Sequence, residues 1–201
     1  MIEKMIDIIT QMISDRNDKI QETIPTDINL NIPNVFYAKE NCIIIALTSI
    51  AKKQVIEQLK LTKKNKDIEE EQDIFKEFVA NHKKYLNYIF IFDEITAADN
   101  KLLTTFDKTL NKINGLLSVF LSNDLHFNPT KHELVDKHTK LNKDEVNDLM
   151  KHYNIKSKTS LPIMLKTDPI AKWLGIKTGD IVKIDRYNPN SGLIYYYRAC
   201  V

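Results

Sequence analysis

Two carboxylates, Asp93 and Glu94, stand side by side where the apolar run YIFIF ends. Paired acids at a strand end can hold Mg²⁺ and activate water against a phosphodiester, so the first chemistry to weigh is that of a metal-dependent nuclease. Such a site also needs a Glu-x-Lys or Asp-x-Lys pair on a neighbouring strand. The nearest apolar run, LLSVFLSNDL over residues 116–125, offers none. A turn or helix-capping role accounts for both acids without it. His126, His132 and His138 are evenly spaced, but zinc wants a fourth ligand and tighter spacing, and neither Cys42 nor Cys200 is near in sequence. Hydrogen bonding within the fold or at an interface is the reading these histidines support. Tyr195, Tyr196 and Tyr197 could stack nucleic-acid bases. On a strand they alternate faces, so only Tyr195 and Tyr197 share one, and packing suits them better. Lys183, Arg186 and Arg198 either face solvent or make charge-assisted hydrogen bonds to a partner. The sequence holds no phosphate-binding glycine loop and no spacing that suggests a Ser-His-Asp or Cys-His set.

The elements that would position these residues are legible from periodicity. Ile2, Met5, Ile6, Ile9, Met12 and Ile13 recur at helical spacing, which predicts an amphipathic helix. The proline-bounded stretch PTDINLNIPN reads as a connection, and VFYAKENCIIIALTS as strand, turn and strand. A helix is expected over 50–61, with Val55, Ile56 and Leu59 on one face. The charge run KLTKKNKDIEEEQD reads as a solvated linker whose acidic half opens a helix through IFKEFVANHKKYL. YIFIFDEI is a strand apolar enough to be buried on both faces, TAADNKLLTTFDKTLNKIN a helix closing at Gly115, and LLSVFLSNDL another strand. Strands alternating with helices predict a mixed or partly parallel sheet flanked by helices. Past Leu125 the polar stretch HFNPTKHELVDKHTKL leads into a new helix, with Asn142 as N-cap, Glu145 completing a capping box, and Val146, Leu149, Met150 and Tyr153 as its apolar stripe. This change of texture puts a domain boundary near residues 124–130.

Bulk composition narrows the function classes. The chain has 201 residues, 43% hydrophobic and 28% charged, with only 4 glycines and 6 prolines, which fits one or two folded domains rather than a disordered or fibrous chain. A net charge of +2 does not demand a nucleic-acid partner, so any DNA contact should be limited. Two distant cysteines fit a reducing compartment. The opening residues lack a basic stretch ahead of an apolar core, and no apolar run reaches the length of a membrane span, so neither a signal peptide nor a membrane protein is expected.

DPIAKWLGIKTGDIVKIDR, over 168–186, specifies backbone more tightly than any other stretch. Asp168 can cap a helix, Pro169 is preset for its first turn, and Ile170, Ala171, Trp173 and Leu174 supply apolar surface. Gly175 can take the left-handed conformation that ends the helix, and Gly179 turns the chain into the alternating strand DIVKIDR. YNPNSG then turns it back as LIYYYRACV. A helix-plus-hairpin this small has little core of its own and is best stabilised by docking onto something larger.

These residues carry a resemblance. FNPTKHELVDKH, LNKDEVNDLMKHY, LPIMLKTDPIAKWLGIKTGDIVKIDR and the closing YYYR resemble, in order and spacing, the fifth subunit of eukaryotic RNA polymerases and its smaller archaeal counterpart. The likeness is strong over about 120–201. The first 120 residues are similar, more loosely, to the jaw domain of the eukaryotic-type subunit, whose architecture is also like that of restriction endonucleases. Asp136 stands where the family has proline, and the turn from Asn188 to Gly192 departs from the usual family sequence. The Ile-, Asn- and Lys-rich composition suits an AT-rich genome, including that of a large DNA virus.

The resemblance implies an α+β fold: an N-terminal α/β jaw domain over 1–126, with a mixed sheet flanked by helices, and a small α+β assembly domain over 127–201 ending in a hairpin. It implies a non-catalytic subunit of a multisubunit DNA-dependent RNA polymerase acting in transcription. The jaw would lie near downstream DNA, with weak phosphate contacts and no base readout, and the second domain would anchor to the largest subunit beside other small ones. His132, Leu134, Val135 and His138, in the link between jaw and assembly domain, would be subunit-interface residues. Asp168, Pro169, Trp173, Leu174, Gly175, Gly179, Lys183, Arg186, Tyr197 and Arg198 would form or support the docking surface. No cofactor, metal, membrane or second copy of the chain is expected as a partner. The place of work would be the nucleus of a cell, or the host cytoplasm, viral factory and virion of a large cytoplasmic DNA virus. Two rival expectations stand beside this one: a small Mg²⁺-dependent nuclease using Asp93 and Glu94, and a free transcription regulator that never joins the enzyme.

Overall fold

The computed structural model describes residues 2–18, 20, 24, 28–61 and 85–201. The charge run and the helix expected through IFKEFVANHKKYL fall almost wholly outside the described residues. The chain divides into two compact units, Met1–Phe127 and Asn128–Val201.

In the first unit, helix α1 (Ile2–Asp15) buries Met5, Ile6, Ile9, Met12 and Ile13, the stripe that its helical spacing predicts. Strands β1 (Asn34–Tyr37), β2 (Asn41–Ala46), β3 (Asn87–Phe92) and β4 (Leu116–Leu121) form a sheet in the order β1-β2-β3-β4. β1 pairs antiparallel with β2, and the other two pairings are parallel. β2 is buried along its whole length and β3 nearly so, as a central strand covered on both faces must be. Cys42, Ile44, Tyr88, Phe90, Phe92 and Leu117 point to one face, where α2 (Ser49–Leu61) and α3 (Ala97–Lys112) cover them with Val55, Leu59, Leu103 and Phe106. The opposite face carries Asn41 and Ser118. There Arg16, just past α1, donates to Asn41 Oδ1 at 3.2 Å and to Ser118 Oγ at 3.1 Å, which ties α1 to that side. Burial lowers the pKa of this guanidinium to about 10 against the opposing pull of Asp18. The Asp18 carboxylate in turn accepts from Lys39 N, Glu40 N and Asn41 Nδ2 at 3.0, 3.0 and 2.7 Å, and so fixes the β1–β2 turn.

One detail of the α3 ending differs from its sequence reading. The helix stops at Lys112, and Asn114, not Gly115, takes positive φ (59°). Gly115 serves a different need: a Cβ there would stand 2.6 Å from the Leu86 carbonyl oxygen. The chain needs glycine at that point to pass close to the backbone leading into β3.

In the second unit, β5 (Lys137–Lys140), β6 (Ile163–Met164), β7 (Ile181–Asn188) and β8 (Gly192–Cys200) form a sheet in the order β5-β7-β8-β6. β7 and β8 make the expected hairpin, with Lys183 opposite Tyr197 and Asp185 opposite Tyr195 on one face and Ile184 opposite Tyr196 on the other. Helix α4 (Lys143–His152) packs Val146 and Leu149 on Ile181. Helix α5 (Pro169–Leu174) packs Ile170 and Ala171 with Val182, Ile184 and Cys200 from the other side of the hairpin. The two edge strands are absent from the sequence reading. KHTK is mostly exposed and lacks alternation, and the pair at Ile163–Met164 is too short to carry a pattern. Short or polar edges like these also protect a sheet against unwanted pairing. Mixed sheets flanked by helices make this an α+β chain.

Candidate subunit interface

The helix that opens the 168–186 stretch is held at both ends. Asp168 Oδ1 accepts from Ile170 N at 2.8 Å and from Ala171 N at 3.4 Å, and Pro169 occupies the first turn, where no N–H is needed. Gly175 closes it at φ 65°, and Ile176 N donates back to Ala171 O at 2.9 Å. Gly179, at φ 89°, donates to Cys200 O at 2.9 Å and so joins the start of the hairpin to its end. Asp168, Pro169, Gly175 and Gly179 therefore fix backbone. Trp173 is buried at 1% exposure, and Leu174 is half-buried against the α5 cluster. Their part is to hold the unit's shape.

The remaining sequence-predicted residues are spread over different sides of the unit. His132 Nδ1 accepts from Leu134 N at 3.2 Å, and His132 O accepts from Val135 N at 2.9 Å, so a tight turn pushes Leu134 outward to 86% exposure. Val135 points inward, against the α5 cluster. His138 Nδ1 donates to Asp136 O at 2.6 Å and sits on β5 opposite Ile184. Asp136, in the place of the family proline, lies 3.7 Å from Arg186 Nε, an exposed pair worth little to stability. Arg186 also approaches the Tyr196 ring at 5.8 Å. Lys183 lies 4.0 Å above the Tyr195 ring and 3.3 Å from Asp185 Oδ1, close enough for a charge contact although that oxygen is not aligned for a hydrogen bond. Arg198 is exposed, and one guanidinium nitrogen reaches Ile163 O at a long 3.4 Å.

Sequence reasoning missed much of the exposed apolar surface. Ile163, Leu165, Tyr187 and Leu193 stand more than half exposed on this small unit. Alternation in LPIML, with Ile163 and Leu165 on one side and the buried Met164 on the other, was the available signal. Tyr187 and Leu193 pair near the turn of the hairpin, and Ile163 lies beside Ala199 at the other end of β8.

The carboxylate pair of the first unit lies just past the end of β3. β3 ends at Phe92. Asp93 Oδ1 accepts from Ser122 Oγ at 2.6 Å, and the Glu94 carbonyl accepts from Lys52 Nζ at 3.1 Å. Both acids line a cleft of about 230 Å³ at the carboxyl ends of β2 and β3, beside Thr48, Ser49 and Lys52. Lys52 is drawn to Asp99 at 3.4 Å instead. Asp99 also completes the α3 capping box: Thr96 N donates to Asp99 Oδ2 at 3.1 Å, and Asp99 N donates to Thr96 Oγ1 at 3.3 Å. Neither strand beside β3 brings a Glu-x-Lys or Asp-x-Lys to the cleft.

Charge is divided between the units. Residues 1–127 hold sixteen Lys and Arg against nineteen Asp and Glu, whereas residues 128–201 hold thirteen against eight. The basic excess of the chain lies wholly in its second unit.

Comparison with known proteins places this second unit. Residues 127–200 match the family model described as RNA polymerase Rpb5, C-terminal domain. The chain is 41% identical over 81 residues to DNA-directed RNA polymerase subunit Rpo5 of Pyrococcus horikoshii, a span covering 40% of this chain and 98% of that protein. It is 43% identical over 75 residues to the same subunit of Pyrococcus abyssi, covering 37% of this chain and 90% of the relative. The chain belongs to the Rpb5/Rpo5 family of RNA polymerase subunits.

Proposed function

We propose that this chain is a non-catalytic subunit of a multisubunit DNA-directed RNA polymerase, with residues 128–201 anchoring it to the largest subunit and residues 1–127 acting as a jaw near downstream DNA. The observation that supports this reading is the match of 81 residues of this chain to 98% of an archaeal polymerase subunit, together with the family model over residues 127–200. The Asp168 side chain caps one end of α5 and left-handed Gly175 closes the other, so this part of the surface is preorganised and loses less entropy on docking. Nucleotide addition belongs to the largest subunits. The first unit carries net negative charge, so it holds DNA by local contacts to phosphates and not by bulk attraction. The chain works where its polymerase works, in the nucleus of a cell or in the cytoplasmic factory and virion of a DNA virus.

Deletion of residues 128–201 tests the anchoring directly. The full chain should be retained by the largest subunit, and the deleted chain should be lost. Retention of the deleted chain would contradict the assignment. A nuclease assay tests the rival: Mg²⁺-dependent cleavage abolished by Asp93→Ala would replace the subunit reading with a catalytic one.

A further inference from the structure

A groove of about 470 Å³ runs between α4 and the β7–β8 hairpin, on the Lys183–Tyr197 face of the sheet. Its floor is apolar, formed by Leu149 and by Tyr153 and Tyr197, whose rings lie 6.1 Å apart. Its charges are unevenly engaged. Lys183 is occupied by Asp185 and the Tyr195 ring, His152 stands edge-on to the Tyr153 ring at 4.8 Å, and Glu145 spends one oxygen on Asn142 N at 2.8 Å. Asp148, exposed on the same rim, has no hydrogen bond or ion pair among the described residues. The groove therefore presents a free carboxylate and half of a second, beside two tyrosine rings, on a unit that is otherwise basic. A cation with a flat face complements the free carboxylate and the tyrosine rings beside it. Arginine meets a carboxylate with paired N–H groups and stacks on tyrosine, whereas an ammonium supplies only the charge.

We propose that this groove receives a segment of a neighbouring polymerase subunit that sets an arginine against Asp148 and the Tyr153–Tyr197 pair, with an adjacent apolar side chain on Leu149. The inference rests on the subunit reading above and names where, and by what chemistry, one contact is made.

The test uses the full chain assembled in the native polymerase, with a photo-reactive benzophenone amino acid replacing the exposed Tyr153. Irradiation should cross-link it to another subunit, at a peptide with an arginine within a few residues and an apolar neighbour. No cross-link, a peptide without a basic residue, or a second copy of this chain would overturn the proposal. In parallel, Asp148→Arg should weaken retention by the polymerase by about tenfold or more, while its thermal melt matches that of the unaltered chain. Unchanged retention of Asp148→Arg in a polymerase that holds the unaltered chain overturns the groove and leaves the subunit reading standing. Failure of the unaltered chain to be retained at all overturns both.

Discussion

A methyl group at Gly115 would meet the Leu86 carbonyl oxygen at 2.6 Å and Leu110 Cβ at 3.2 Å. Gly115→Ala should therefore cost about 1–3 kcal/mol as backbone shifts to admit it, read as a lowered urea midpoint. The sequence shows a helix closing near this glycine but not the carbonyl that requires it, because that approach comes from a segment distant in the chain. Asp99 is the residue whose charge most clearly bears on stability. Burial alone would raise its pKa, but hydrogen bonds with Thr96 and the charge of Lys52 outweigh that and hold it below the ordinary value. A carboxylate depressed in the folded state contributes stability above its unfolded pKa of about 4, and the contribution is lost as pH falls through the folded value. Asp99→Asn should thus destabilise the chain at pH 7 and narrow the difference in urea midpoint between pH 7 and pH 3. An unaltered difference would show that the ion pair contributes nothing.

At the scale of elements, the best-read pieces are those whose local chemistry agrees with their tertiary role. The α4 capping box forms as its sequence predicts, with Asn142 Oδ1 accepting from Asp144 N and Glu145 N and the Glu145 carboxylate accepting from Asn142 N. α5 has its cap, its proline and its left-handed glycine in the expected places. Asp168→Ala should cost about 1 kcal/mol through loss of the cap, and Gly175→Ala about 1–2 kcal/mol through a strained left-handed residue. Thermal melts of the two variants check both values. The pieces that escaped reading, β5 and β6, are built from backbone pairing to a neighbour; β5 shows no alternation and β6 is only two residues long. The exposed side of the second unit escaped for a related reason. Tyr153, which the spacing places on the α4 stripe, is the residue just past the helix and stands more than half exposed.

For the whole molecule, two compact units imply two cooperative transitions or one separable domain. Residues 128–201 form a compact unit that coincides with the match to the C-terminal domain model, so this piece should fold alone with a sigmoidal melt and far-UV signature of mixed helix and strand. A non-cooperative melt would mean that the first unit is needed to complete its core. Fold class and family were legible in the sequence. The division of charge between units and the groove beside α4 became visible only once the chain was divided and folded. The measurement that bears most directly on function is purification of this chain, tagged, from its native source through a high-salt wash, with the stoichiometry of bound chains determined. One copy per pair of large polymerase subunits is the predicted result. A chain recovered free of large subunits would contradict the account.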